Sequence, residues 1–126
     1  MMKVAVVKGE RGLGPVYRAL DLTPYRKALE PWDTVLVKPN LITSHTYETG
    51  ITTDPVVIEA VINRVHELGK KAIVVETEGG ITSPDEAIHT TGMMEVIERT
   101  KAAEWARPPS YTVTTRLGAT TANTND

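Results

Sequence analysis

Thr34-Val35-Leu36-Val37-Lys38-Pro39-Asn40 decides the fold. Its first four residues form a short apolar run without alternation, the signature of a strand buried on both faces of a parallel sheet. Its last three place a cation, a rigid turn and a side-chain amide where that strand leaves the core. In a parallel α/β sheet, ligands sit at this carboxyl edge.

Two further runs match the first. Residues 2–8 carry Val4, Ala5, Val6 and Val7, and residues 72–75 read Ala72-Ile73-Val74-Val75; both are expected to be buried strands. Between the second and third runs lies the clearest helix. Asp54-Pro55 supplies a cap and a proline at the first helical position. Val57, Ile58, Val61, Ile62, Val65 and Leu68 then recur at three- and four-residue steps and make one apolar stripe. Gly69 is placed as its C-terminal cap. Ser83-Pro84-Asp85-Glu86 is a second helix start with a capping box. Thr91-Gly92 punctuates, and helical spacing resumes from Met93 to Ala106 before Pro108-Pro109.

Weaker signals fill the rest. The glycines at 9, 12 and 14 mark a turn; a short helix from about 15 to 20 follows, and Thr23-Pro24 caps a second one ending at Leu29. Residues 111–115 are read as an added edge strand, and 118–126 as a polar, disordered tail. Strand, helix, strand, helix, strand predicts α/β architecture: three layers, a mainly parallel sheet and crossover helices. The domain occupies 1–106, with edge strand and tail in 107–126.

At 126 residues and a net charge of −2, with charged residues at 24%, the chain has the size of one domain and no charge excess that calls for nucleic acid or an anionic membrane. No run is long and apolar enough to span a bilayer, and the N-terminus reads as a strand rather than a signal peptide. Cysteine is absent, which removes disulfides, thiolate nucleophiles and thiolate metal sites and makes the cytoplasm the default location. Phenylalanine is absent too, so the core must be aliphatic.

Parallel strands bring three exits to one rim: Lys8, Lys38 with Asn40, and Glu76 with Glu78. The two lysines hold an anion or pair with the glutamates. Asn40 offers donor and acceptor. Thr52 and Thr53 either cap the helix or touch an anion, and Gly79 and Gly80 let a ligand approach the backbone. A small anionic or phosphorylated ligand is the natural occupant. The bland reading is a surface ion pair of little energy. If the domain is catalytic, Lys38 is the electrostatic stabiliser and Glu76 or Glu78 the acid–base group. A non-catalytic assembly module or truncated remnant is the third alternative. His66 falls on the polar face of the long helix and is expected in solvent; of the histidines only His45 lies in the candidate loop, and no spacing supports a metal site; the residues name no cofactor. The glycines at 9, 12 and 14 do not have the dinucleotide order, and the Walker pattern is absent.

From Val35 through Leu41 the chain resembles the family catalogued as domain of unknown function 362. The resemblance continues through Thr52-Thr53-Asp54-Pro55-Val56-Val57, the helix to Gly69, the next strand, Gly79-Gly80 and Thr91-Gly92, over about residues 3–97. It implies an α/β domain of bacteria and archaea, sometimes joined to ferredoxin-like iron–sulfur modules; it names no reaction. The chain departs from the pattern in its lack of cysteine and in stopping early. Residues after about 101 do not read as the family's continuation. These departures suggest a shortened member whose open sheet edges pair with a second copy, a homo-oligomer.

Overall fold

A computed structural model describes residues 4–76, 83–101 and 104–106. The elements run α1 (Leu13–Asp21), α2 (Tyr25–Leu29), β1 (Thr34–Val37), a single 3-10 turn (Tyr47–Thr49), α3 (Pro55–Glu67), β2 (Lys71–Val75), α4 (Pro84–Thr90), α5 (Met93–Thr100) and β3 (Glu104–Ala106). The strands lie in the order β1-β2-β3 and both pairings are parallel. Thr34 stands beside Lys71 and Val37 beside Val74; Ile73 stands beside Glu104. The chain is an α/β domain, as its sequence predicts.

Side-chain alternation splits the sheet into two faces. Val35, Val37, Ala72 and Val74 meet Ile58, Ile62 and Val65 of α3, Ile88 of α4, and Met93 and Val96 of α5 in one aliphatic core. Full burial of a valine, isoleucine or methionine side chain there contributes roughly 1.5–3 kcal/mol. Within the expected stripe of α3, Val57 falls outside the core and is 37% exposed, while Ala60 is wholly buried. α1 and α5 both pack on α3. α1 buries no residue completely. It is held instead by polar bridges: Asn63 Nδ2 donates to the Tyr17 hydroxyl at 2.9 Å, Arg64 donates to Asp21 at 2.6 Å, and the Arg64 guanidinium lies 4.3 Å above the Tyr17 ring. The described residues thus form two layers, helices on one face of a sheet; a third layer is not among them.

The caps predicted for α3 and α4 are in place. Asp54 accepts the Val56 N–H at 3.0 Å, and Ser83 Oγ accepts the Glu86 N–H at 3.3 Å. α3 ends in a Schellman motif: with Gly69 at φ 70°, the Gly69 N–H reaches the His66 carbonyl at 2.8 Å and the Lys70 N–H reaches that of Val65 at 3.3 Å.

Four expectations need revision. The helix expected through Ala106 stops at Thr100, where Lys101 takes the left-handed conformation (φ 57°), and residues 104–106 pair with β2 instead. Thr23 does not cap α2; its hydroxyl turns back to the Leu20 carbonyl at 2.7 Å. Residues 4–8 belong to no strand, and Val4 and Val6 are 88% and 87% exposed. His66, expected in solvent, is half-buried. The edge strand read at 111–115 and the tail lie outside the described residues.

Candidate functional site

β1 and β2 release their chains side by side. Lys38 Nζ meets Glu76 Oε1 at 2.7 Å. Their exposures differ sharply: the lysine side chain is 51% exposed and the glutamate 5%. The second carboxylate oxygen, Oε2, accepts the Leu41 N–H at 3.3 Å. A buried carboxylate is tolerated only with such partners. Pro39, completely buried, fixes the turn between Lys38 and the loop. The parallel register therefore brings together two of the exits expected from the sequence.

The loop from 40 to 53 closes on itself. The Asn40 N–H donates to Thr53 Oγ1 at 2.8 Å, and the Thr53 N–H donates to the Asn40 carbonyl at 3.1 Å. Asn40 Nδ2 donates to the Ile51 carbonyl at 2.6 Å. Thr52 Oγ1 donates to the His45 carbonyl, and Thr43 Oγ1 lies 2.7 Å from His45 Nδ1. Asn40, Thr52 and Thr53 are gathered near Lys38 by this architecture, with their polar groups engaged in shaping the loop. Lys8 is exposed and enters no ion pair among the described residues. Glu78, Gly79 and Gly80 lie outside the described residues. Among those described, no three His, Asp or Glu side chains form a group that could hold a metal ion, and no helix is long and apolar enough to cross a membrane.

Arg11 was not legible as a site residue. From the glycine turn its Nε and Nη2 donate to both oxygens of Asp54, at 2.8 and 2.9 Å, and its guanidinium carbon lies 4.2 Å from the Tyr47 ring centroid. It thereby ties the N-terminal turn to the cap of α3 and to the loop. Partial burial pushes the Asp54 carboxyl upward; the Arg11 hydrogen bond, the Val56 N–H and the Arg11 charge outweigh it and hold the group below the ordinary range. Further along α3, Arg99 grips Glu59 at 3.0 and 2.7 Å and lowers that carboxyl likewise. Between these two pairs opens a cleft of about 410 Å³, lined by Arg11, Tyr47, Pro55, Val56, Glu95 and Arg99 among others. Both arginines are neutralised by carboxylates of α3, the Asp54 cap and Glu59, so the cleft is not a cationic cradle. No sequence spacing announces it, because its walls come from segments far apart in the chain.

The family described as Domain of unknown function (DUF362) matches residues 35–122, more than half of the chain. The chain belongs to this family. The match opens inside β1 and takes in the Lys38-Pro39-Asn40 turn, the closed loop, all of α3 and Glu76. It also runs on past residue 101 to 122, so most of the residues read from sequence as foreign to the family fall within it. The turn with Arg11 lies outside the matched span. No curated protein and no solved structure matches the chain.

Proposed function

We propose that this domain binds a small anionic or phosphorylated ligand at the carboxyl edge of the sheet, against Lys38. The observation that supports this reading is the Lys38–Glu76 pair at the ends of two adjacent parallel strands. The buried glutamate orients the lysine. An ammonium has three N–H donors; Glu76 accounts for one contact, and the side chain is half exposed. α3, thirteen residues long, begins at the same rim directly after its Asp54 cap. Lys8, Thr52, Thr53, Gly79 and Gly80 belong to the same reading as ligand contacts. So do a cytoplasmic setting, suited to a cysteine-free chain, and self-association through an open sheet edge, for which light scattering is the measurement.

The test is thermal stabilisation by inorganic phosphate and by a panel of small phosphorylated compounds. A ligand that binds only the folded chain raises its melting temperature by mass action. The rise should disappear in Lys38→Ala, each protein being compared with its own unliganded form. An equal rise in the variant removes Lys38 as the anchor. Catalysis by the same pair is the second reading, favoured by the burial of Glu76. Glu76→Gln separates the two, since a binding domain keeps its ligand response while an enzyme loses turnover.

A further inference from the structure

Residues 4–8 and 34–38 read Val-Ala-Val-Val-Lys and Thr-Val-Leu-Val-Lys, thirty positions apart. Their burial patterns agree as well. In both, the first, third and fifth residues are exposed and the second and fourth turn inward, Ala5 and Val7 in one, Val35 and Val37 in the other. A period of two is that of an extended strand with one seated face. Yet only the second segment is in the sheet, where β1 is an end strand among the described residues.

Two anchors fix where the first segment can go. Arg11, three residues beyond Lys8, is bound to the cap of α3 at the carboxyl edge. Three residues span at most about 10 Å from the Arg11 backbone, so Lys8 is kept within reach of that rim. The second anchor is α1, which packs on α3 in the same layer as α5, the position of a crossover helix between a strand and a parallel neighbour. Gly9 permits the close passage into α1: a side chain there would come within 2.6 Å of Pro15.

We infer that residues 4–8 are a fourth strand, which adds in parallel to the outer edge of β1 when an anion occupies the site. The register sets Val6 beside Leu36 and Lys8 beside Lys38. The outward Val4 and Val6 then join Leu36, itself 41% exposed, on one face of the sheet. The addition is opposed by charge. Two ammonium groups meet side by side on neighbouring strands with one carboxylate, Glu76, between them, and like charges so placed repel. A bound phosphate or carboxylate between Lys8 and Lys38 removes the repulsion, so ligand and strand stabilise each other. The role given to the anion rests on the function proposed above; the strand addition rests on the two anchors and the matching patterns. An edge closed from within the chain leaves pairing between copies to the other end of the sheet.

The experiment is a disulfide trap, clean because the chain has no cysteine of its own. Val6→Cys and Leu36→Cys together place two thiols on neighbouring strands about 4.8 Å apart, within the Cα range of about 4.4–6.8 Å that a disulfide spans. Both positions are exposed, so the replacements leave the core untouched. We expect an intramolecular bond that forms several-fold faster with inorganic phosphate, and fast without phosphate once Lys8→Gln is added. Val7→Cys with Leu36→Cys, on opposite faces, should not close. In the unmodified chain, phosphate should slow amide hydrogen exchange at 5–7 and 34–37. Failure of the Val6–Leu36 pair to close in either background, or closure only between two copies, overturns the fourth strand. Closure in the Lys8→Gln background with no response to phosphate in the parent upholds the strand and sinks the anion reading. Lys38-dependent thermal stabilisation without closure does the reverse.

Discussion

Arg11 and Asp54 stand 43 residues apart in sequence, yet the guanidinium holds both carboxylate oxygens at once, at 2.8 and 2.9 Å. The same carboxylate caps α3 by accepting the Val56 N–H. One side chain therefore starts the central helix and fastens the N-terminal turn to it. Asp54→Ala loses both functions and should destabilise by about 1 kcal/mol through the cap alone. Asp54→Asn keeps a capping oxygen and should lose less. Arg11→Ala should leave α3 capped and loosen the turn. Melting temperatures of the three variants should rank in that order, lowest for Asp54→Ala.

Asp54 and Glu59 predict how the fold responds to acid. The Asp54 carboxyl is raised by partial burial but lowered by more through Arg11 and the Val56 N–H; the Glu59 carboxyl is lowered chiefly by its hydrogen bond to Arg99. Both are acids with folded values below the unfolded ones. The unfolded chain therefore takes up protons first as pH falls. Their stabilisation is complete above about pH 4, the unfolded carboxyl range, and is lost as pH drops through the folded values. Urea midpoints should be flat from pH 7 to 5 on this account and fall below about 4. Asp54→Asn and Glu59→Gln should each flatten the acid limb.

Lys38 supports the fold through its pair with Glu76. Lys38→Ala strips the buried Glu76 of its ammonium, and breaking a fully buried pair costs about 3–5 kcal/mol. Lys38 is half in water, which screens the pair, so about 1–2 kcal/mol is expected. Adding Glu76→Gln should recover part of this. Denaturant melts of the two single variants and the double variant give the coupling; purely additive losses would contradict it.

Gly69 and Lys101 make an opposed pair of backbone tests. Both adopt the left-handed conformation, at φ 70° and 57°, which costs a residue with a side chain about 1–2 kcal/mol. Gly69→Ala should therefore destabilise, and Lys101→Gly should stabilise, each by about 1 kcal/mol. Equilibrium unfolding at one pH suffices to show the opposite signs.

The parts of the fold legible in the sequence are those written in local signals. β1 and β2 are β-branched runs, α3 is a 3.6-residue stripe between Asp54-Pro55 and Gly69, and α4 opens on Ser83-Pro84. β3 escaped because three residues carry no period, and because the chain from Met93 keeps helical spacing beyond the point where Lys101 turns it. For the site, the meeting of Lys38 with Glu76 followed from parallel strands alone. The work of Asn40 did not: its amide faces the Ile51 carbonyl, and that choice depends on how the loop folds back. The Arg11–Asp54 and Arg99–Glu59 pairs lie across 43 and 40 residues, and no local pattern encodes a partner at that distance.

The reciprocal bonds between Asn40 and Thr53 give the segment between them an independence of its own. Its ends are clasped backbone to backbone and backbone to hydroxyl at the mouth of β1, directly before α3 begins. Closure entropy changes slowly with length, by about 0.6 kcal/mol per doubling. Lengthening at its exposed middle, around residues 48–50, is therefore tolerated, whereas Leu41, with its side chain in the core and its N–H on Glu76, belongs to the frame.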